Sequence, residues 1–521
     1  MIATIENRDT DSPSRWINAI SLGIVAITTV LLIAMPIVKF LNLHSNFYDL
    51  GQYATFLYGI AFDSSWGDLF STHAHPIAAP YALIYRLAPS NLTLLLLQSG
   101  VVVLSGLLFG AYWRRLALPQ PMLGLLLYLL SFSTWFAALF EFHFEHLIFP
   151  IVFGFFLVVE TPDRARTRLL AVLLGLLLCL VKEVYPLTAC MLGVYLLIGK
   201  RWYVAGLALI VLPLGYFLLA TKVVIPAFSH NAQTGEIWNS AFGYLGNTPP
   251  QMLRSLILDP LIPLRELLAA PRKLVFVVGL FGSLAFLSLL RPMLLLPSLP
   301  ALGISVLSHN PNHYYLGHQY TVVIVAVLLV TTAKALTAWS RPAQCRWIAA
   351  MLVTTVATQI AFGPSPMSRL FWSPNVFSYN WRAYIPNEHD RTLARVVDQF
   401  IPEDDRLIVS TQNAINSDRI SNRRLAFAFP WGTFSATDSV AREELTASSR
   451  SADYVVLDRT RPLSLQDDIC LYDRMTVCDS PSFLSRFDER IRRMKQNFEV
   501  LYERDGILIA RRFGRIGASI Q

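Results

Sequence analysis

Long apolar segments recur along the first two-thirds of the sequence, and they restrict the fold more than any other feature does. They run for roughly 17–25 residues, enough for a helix to cross a hydrocarbon layer about 30 Å thick. Only 15% of the 521 residues are charged, whereas soluble domains usually reach about 25%. The sequence therefore predicts a mainly α-helical protein that crosses a lipid bilayer many times.

The charged residues between the apolar segments predict how the chain crosses the bilayer. Eleven spans can be counted between residues 16 and 362 if the N-terminus is cytoplasmic. The short connections that this count places in the cytoplasm are all basic, as the positive-inside rule requires. They contain Arg114 and Arg115, then Arg164, Arg166 and Arg168, then Lys200 and Arg201, then Arg291, then Arg341 and Arg346. Because the count is odd, the C-terminal segment lies outside.

Changes in composition predict the domain organisation. A polar lead at 1–15 precedes the transmembrane domain at 16–362, whose first outer loop is 41–90. A linker at 363–386 leads to 387–514, where amphipathic helical segments alternate with short β-rich runs and a closing hairpin. This pattern predicts a soluble α/β domain on the outer side of the membrane.

The net charge and the cysteines say less about the protein than the apolar segments do. The net charge of +8 is first explained by cytoplasmic connections that fix topology. A nucleic-acid partner is not expected, because no Lys/Arg run with interleaved aromatic residues occurs. Cys470 and Cys478 fall in the exported segment, where a disulfide can form, but sequence alone leaves open whether they pair.

Asp49 lies just beyond the first span, in the motif Asn46–Tyr53. An acid at the boundary between water and lipid keeps its charge and can meet a substrate that a lipid carries. We expect Asp49 to act as a general base or to help position an acceptor through a metal ion. A helix N-cap or a solvated charge is the alternative.

Two other polar clusters follow spans on the same predicted side. His73 and His75 stand at i and i+2 in an extended segment, so both can reach one metal ion or phosphate; hydrogen-bonded loop histidines are the alternative. Residues 141–146 read Glu-Phe-His-Phe-Glu-His, and either extended or helical geometry gathers their carboxylates and imidazoles. Glu141 is the second catalytic candidate, unless this segment is only an interfacial anchor.

Lys182 and Glu183 close an otherwise apolar hairpin. Lys182 can hold a phosphate as a point charge, or the two residues can form an internal ion pair over the turn. The expected substrate-binding residues are His73, His75, His143, Lys182, Glu183 and His313. The expected cofactor is a divalent metal ion held by Asp49, His75, Glu141 and His143.

Four short motifs carry a resemblance to a known family: Phe47–Gly51, His73–Pro76, Glu141–His143 and Val181–Glu183. In their order and spacing, the chain resembles a bacterial family of polytopic membrane proteins of unknown function, which itself looks like the GT-C class of membrane glycosyltransferases. The resemblance implies an inner-membrane location, a polyprenyl-phosphate sugar donor and a catalytic Asp49. Many GT-C enzymes carry paired acids there, whereas Leu50 follows Asp49 here, so Glu141 is the candidate for the second carboxylate.

Three functions remain open at this point. The first is a glycosyltransferase that moves a sugar from a polyprenyl-phosphate lipid to an acceptor on the outer face. The second is a lipid-head-group transporter or flippase, and the third is a non-catalytic envelope assembly protein. The middles of the spans carry almost no Asp, Glu, Lys or Arg, which disfavours an ion-coupled transporter. We therefore expect the first.

Overall fold

The chain folds mainly into helices, and the described strands are confined to its C-terminal part. The computed structural model describes residues 12–71, 73–229, 241–373, 379–429, 432–433, 451–461 and 481–514. Within them, five helices are long and apolar enough to cross a membrane: Ala19–Leu41, Asn91–Arg115, Tyr203–Phe228, Gln319–Leu336 and Arg341–Phe362. The expected architecture, a helical membrane domain followed by an α/β domain, is confirmed.

Other apolar runs form broken or short helices. Pro121–Leu130 and Phe132–Leu139 are bent by 57° at Ser131, and counting them as one span raises the number to six. Three further apolar helices have only 10–17 residues: Phe144–Val159, Pro186–Lys200 and Pro292–Leu307. Length and composition thus support five or six spans, and the count of eleven stays a prediction.

The membrane part contains additional helices of various lengths. They are Gln52–Asp63, Ala78–Leu87, Ala165–Val181, Pro249–Leu258, Ile262–Ala269 and Pro271–Gly282. The helix within Gln319–Leu336 occupies the centre of the bundle, since 83% of its apolar window is buried, whereas the corresponding value for Arg341–Phe362 is 22%. A helix that is apolar all round and buried all round belongs in the core.

The basic connections meet at one end of the bundle. Lys334 forms an ion pair with Glu160 at 2.7 Å, and the Arg115 guanidinium donates to the carbonyl of Glu160 at 2.9 Å. At the same end, Arg341 donates to the carbonyl of Ala117 at 2.7 Å. Connections that the sequence assigns to a single side therefore lie together in space.

The C-terminal part contains a five-stranded sheet. The strands are Val409–Thr411 (β1), Ala426–Ala428 (β2), Tyr454–Asp458 (β3), Phe498–Arg504 (β4) and Ile507–Arg512 (β5), in the order β2-β1-β3-β5-β4. β1 is parallel to β2 and β3, and β5 is antiparallel to β3 and β4. The expected closing hairpin is β4–β5, turned by Asp505 and Gly506, which both adopt positive φ.

Both faces of the sheet are covered, because successive strand residues alternate between two apolar clusters. Val455 and Leu457 pack with the helix Pro481–Met494 on one face. Val456 packs on the other face with the helix Glu388–Phe400, whose N-terminus is closed by a capping box between Asn387 and Asp390. Cys470 and Cys478 lie outside the described residues, so their pairing stays a prediction.

The second apolar cluster also contains two residues from the first outer loop. Leu43 and Phe47 are buried there together with Leu393, Val397 and Val409. Polar contacts extend this junction, since Asn91 and Ser90 both donate to the Asp418 carboxylate at 2.7–2.8 Å. The α/β unit is therefore packed directly against the loop that carries Asp49.

Candidate functional site

Asp49 stands in a single π-helical turn, Phe47–Gly51, which leads directly into the helix Gln52–Asp63. Such turns are rare and occur frequently at functional sites. Asp49 Oδ1 lies 3.2 Å from Nε2 of His143. In the described part of the chain, its second oxygen, Oδ2, is buried and has no hydrogen-bond partner. The protein therefore orients one oxygen of this carboxylate, whereas the other has no hydrogen bond to any described residue.

His143 is held from three sides. Its backbone N–H donates to Oε1 of Gln98 at 2.9 Å, and Gln98 also donates to the carbonyl of Phe140 at 3.0 Å. The ring Nδ1 lies 3.0 Å from the carbonyl of Glu141. Because both ring nitrogens face oxygen acceptors, the doubly protonated imidazolium satisfies both. Burial opposes this form, but the charge of Asp49 and its hydrogen bond raise the pKa of His143 above its ordinary value.

Glu145 and Lys182 form a buried ion pair next to this centre. Lys182 Nζ lies 3.3 Å from Glu145 Oε1, and both side chains are less than a tenth exposed. Burial lowers the pKa of Lys182, but the Glu145 carboxylate, with smaller effects from Tyr320, Tyr53 and Glu183, raises the pKa above its ordinary value, so the ammonium stays charged. As at Asp49, one oxygen of Glu145, Oε2, is buried without a hydrogen-bond partner among the described residues.

The histidines of the first outer loop bind the hairpin that carries Lys182. Glu183 accepts from His73 Nδ1 at 2.8 Å and from the backbone N–H of Ala74 at 3.0 Å. Burial would raise the pKa of Glu183, but the hydrogen bond from His73 and the charges of His73 and Lys182 lower it to about 2. His75 Nδ1 donates to the carbonyl of Val181 at 2.7 Å, and burial, with the nearby charge of Lys182, lowers its pKa to about 4.

Tyr53 connects these clusters through its ring. The ring is in edge contact with His143, at 5.3 Å between centroids, and with His75, at 6.1 Å. Phe142 and Phe144 pack against the same ring at 5.5 and 5.2 Å. Asp49, His75 and His143 are therefore brought to one end of the bundle, as the sequence pattern predicts.

The stretch 308–320 supplies the remaining histidines. The His318 ring packs 5.1 Å from that of Phe140, and among the described residues its buried Nε2 has no hydrogen-bond partner. His313 accepts or donates a hydrogen bond with Ser308 Oγ at 2.8 Å. Burial lowers its pKa to about 4, and the charge of Lys182 adds to this shift, so His313 borders the same cluster.

Glu141 is close to Asp49 but has a different environment. It is paired with Lys39 at 2.5 Å, and both side chains are only 2% exposed. An acid that is saturated by a buried cation is not available as a base unless that pair opens. The proposed catalytic role of Glu141 stays a prediction, and the open second carboxylate in the structure belongs to Glu145.

The residues predicted to hold a metal do not form a compact ligand set. Within the described ranges, no group of three or more His, Cys, Asp or Glu side chains is arranged to hold a metal ion. Of the four, Glu141 is neutralised by Lys39 and His75 uses one nitrogen for the carbonyl of Val181. These residues do not fit a metal ion as they stand, so the mechanism below uses none.

Sequence reasoning missed several contributors to the site. Lys39 is buried near the end of the first span, where it reads as a flanking charge. Gln98 is one of several uncharged polar residues in its span, and nothing in its spacing marks it. Tyr53 ends the motif that contains Asp49, but the sequence assigned it no role. His318 belongs to the His-rich stretch that the sequence did single out. Tertiary packing, rather than a local pattern, places these residues at Asp49.

Several solved structures are similar to this chain. ArnT from Cupriavidus metallidurans bound to undecaprenyl phosphate has 14% identity and a TM-score of 0.45, over 92% of this chain and 97% of that chain. The archaeal oligosaccharyltransferase AglB from Archaeoglobus fulgidus, in complex with an inhibitory peptide and a dolichol-phosphate, has 13% identity and a TM-score of 0.39, over 96% and 75%. No function is carried over from likenesses of this size. None of the curated proteins matches the sequence.

A family model gives the clearest relationship. The model described as "Predicted membrane protein (DUF2079)" matches residues 39–509. The match includes the Asp49 turn, the segments that hold His75, His143 and Lys182, and all but the last residues of the C-terminal sheet. The resemblance to an uncharacterised family of membrane proteins is thereby confirmed, and the chain belongs to the DUF2079 family of predicted membrane proteins.

Proposed function

We propose that this protein is a membrane glycosyltransferase that moves a sugar from a polyprenyl-phosphate lipid to an acceptor at the outer face of a bacterial inner membrane. The observation that supports it most is the state of Asp49. One carboxylate oxygen is bound by a buried His143, and the other is buried with no partner among the described residues. A buried carboxylate oxygen without a hydrogen-bond donor costs free energy. The hydroxyl of the molecule that receives the sugar would supply that donor.

In this proposal Asp49 is the general base. Oδ2 takes the proton from the acceptor hydroxyl as its oxygen attacks the anomeric carbon of the donor sugar. The bond from that carbon to the phosphate oxygen breaks, and polyprenyl phosphate leaves with the bonding electron pair, so the anomeric configuration inverts. The His143 imidazolium orients Asp49 through Oδ1.

Lys182 is the proposed ligand of the donor phosphate. An ammonium group has three N–H donors, and Lys182 hydrogen-bonds only Glu145 within the described part of the chain. The two remaining donors can bind phosphate oxygens and stabilise the charge that develops on the leaving group. His75 and His313, neutral at pH 7 because burial lowers the pKa of each to about 4, would border the sugar.

The location of this cluster suits a substrate with a lipid tail and a polar head. The cluster lies where the first outer loop, residues 140–147 and the Lys182 hairpin meet. Apolar helices adjoin it, and the α/β unit covers the loop on the other side. A polyprenyl chain would lie among the helices while the sugar projects toward Asp49.

The test is a transfer assay with the full chain in lipid nanodiscs. Undecaprenyl phosphate carrying radiolabelled glucose, mannose or arabinose is added with an envelope fraction as acceptor, and both label transfer and free undecaprenyl phosphate are measured. We expect the wild type to use at least one donor and Asp49→Asn to transfer its sugar at least about 100-fold more slowly.

Asp63→Asn is the matched control for that assay. Asp63 is an acid of the same loop whose only described partner is the exposed Arg424, at 3.1 Å, so we expect this variant to retain transfer. Transfer by Asp49→Asn at the wild-type rate would overturn the role of Asp49 as general base, and release of no undecaprenyl phosphate by the wild type with any donor would overturn the glycosyltransferase proposal. Translocation of the intact donor without release of undecaprenyl phosphate would instead indicate a flippase.

A further inference from the structure

The turn that carries Asp49 is capped by Asn413, a residue of the C-terminal α/β unit. A helix begins with N–H groups that have no partner within the helix, and a nearby side chain usually accepts from one of them. Asn46 precedes the turn but forms no such hydrogen bond. Instead, Phe47 N–H donates to the carbonyl of Asn413 at 2.7 Å, and Tyr48 N–H donates to Oδ1 of Asn413 at 2.8 Å.

Apolar packing fixes the same turn to the α/β unit. The Phe47 side chain is fully buried in the cluster that covers one face of the sheet. Gly51 ends the turn in close contact with this unit: a Cβ at that position would lie 3.0 Å from Asn416 Oδ1 and closer still to the Phe47 ring. The turn is therefore held at its start by Asn413, and its last residue lies close to Asn416 of the same unit.

A buried arginine holds the segment before the turn. Arg461 donates to the backbone carbonyls of Leu43 and Asn42, and it pairs with Asp390 at 2.6 Å. These contacts leave the loop between the first span and Asp49 little freedom. The α/β unit thus fixes the backbone on both sides of the turn.

We infer that Asn413 is a positioning residue for Asp49 and that the α/β unit completes the active site instead of serving as a separate partner-binding module. The inference rests on the proposed function. A general base must lie within hydrogen-bond distance of its proton, and a displacement of about 1 Å can cost on the order of 100-fold in rate. Asn413 acts through the backbone of the turn, without touching the reacting atoms.

Amide hydrogen exchange tests the inference without any substrate. The full chain in detergent is compared with Asn413→Leu, which has similar volume but no side-chain acceptor, and with Asn413→Asp, which keeps the acceptor. We expect exchange in peptides covering 44–52 to become roughly tenfold faster in the leucine variant, because the Tyr48 N–H loses its partner. The aspartate variant should exchange like the wild type.

Asp418→Ala is the matched control, because Asp418 caps Asn91 from the same unit but lies at a different helix. We expect it to loosen the region around 90–95 and leave 44–52 protected. Unchanged exchange in Asn413→Leu, or the same loss at 44–52 in Asp418→Ala, would overturn the inference in favour of general docking.

Kinetics give a second readout once a donor is found. For the donor that the wild type uses, we expect Asn413→Leu to lower kcat about 10- to 100-fold with little change in KM, and Asn413→Asp to restore it. A rise in KM alone would contradict the positioning role. If Asp49→Asn keeps transfer while exchange at 44–52 still depends on Asn413, the role of Asp49 as general base fails and the structural cap survives.

Discussion

The carboxylates at the junction between the α/β unit and the first outer loop differ from those at the candidate site. Asp418 accepts hydrogen bonds through both oxygens, from Ser90 and Asn91. Asp390 does the same, with His44 and Arg461 at Oδ1 and the backbone N–H of Asn387 at Oδ2. By contrast, Asp49 and Glu145 each keep one buried oxygen without a partner among the described residues.

At this end of the bundle, we interpret the difference as one between acids that stabilise the junction and acids that bind substrate. A buried acceptor without a hydrogen bond costs about 1–3 kcal/mol, so acids that only stabilise a junction are expected to be saturated. An acid that must accept a proton from a substrate needs an open oxygen instead. Variants of the two kinds of acid should therefore lose different properties: catalysis in one case and stability in the other.

Asp49→Asn should remove activity and leave the fold intact. The amide keeps the volume of the side chain and an oxygen for His143, but it cannot take a proton. We expect transfer to fall by about 10²–10⁴-fold, while the free energy of unfolding changes by less than about 1 kcal/mol. Label transfer and a thermal unfolding curve measure the two effects, and a strongly destabilised variant would place Asp49 with the structural acids.

Arg461→Met should lower the stability of the fold, in contrast to Asp49→Asn. It leaves Asp390 and Asp458 buried without their cation, and breaking a buried ion pair in this way costs about 3–5 kcal/mol. We expect a marked fall in the unfolding midpoint of the α/β unit, followed by intrinsic fluorescence or differential scanning calorimetry. A midpoint equal to that of the wild type would show that the saturated junction is not needed for stability.

Glu141 lies between the two classes and can be assigned by a double variant. Glu141→Gln leaves Lys39 buried and unpaired, so we expect it to destabilise the protein by about 3 kcal/mol. Lys39→Met with Glu141→Leu removes both charges and should restore most of that stability. Transfer by the stable double variant, measured as above, would place Glu141 with the structural acids, and its loss would support the catalytic role.

The buried histidines predict a loss of stability in acid. Burial lowers the pKa of His318 from 6.5 to about 4, so between these pH values the unfolded chain binds a proton that the folded chain does not. The free energy of unfolding therefore falls as the pH drops from 6.5 toward 4, by about 2 kcal/mol for this group at pH 5. His318→Gln should reduce the difference in unfolding midpoint between pH 7 and pH 5, and an unchanged difference would contradict the assignment.

Much of the candidate site was predictable because acids and histidines, together with Lys182, cluster at the span ends that the charge pattern assigns to one side. Asp49, His75, His143 and Lys182 all stand out in this way, and the structure brings them together. The partner of each residue was less predictable. Lys39 and Glu141 are 102 positions apart and meet only because two helices pack side by side.

Hydropathy predicts a helical membrane protein segment by segment, and the change in composition predicts the small α/β unit that follows. The pairing of each acid is a property of the folded chain, and so is the cap that Asn413 places on the Asp49 turn from 364 residues away. Hydrogen-bond saturation depends on atoms that approach within about 3 Å across the fold, and no local pattern in the chain records that distance.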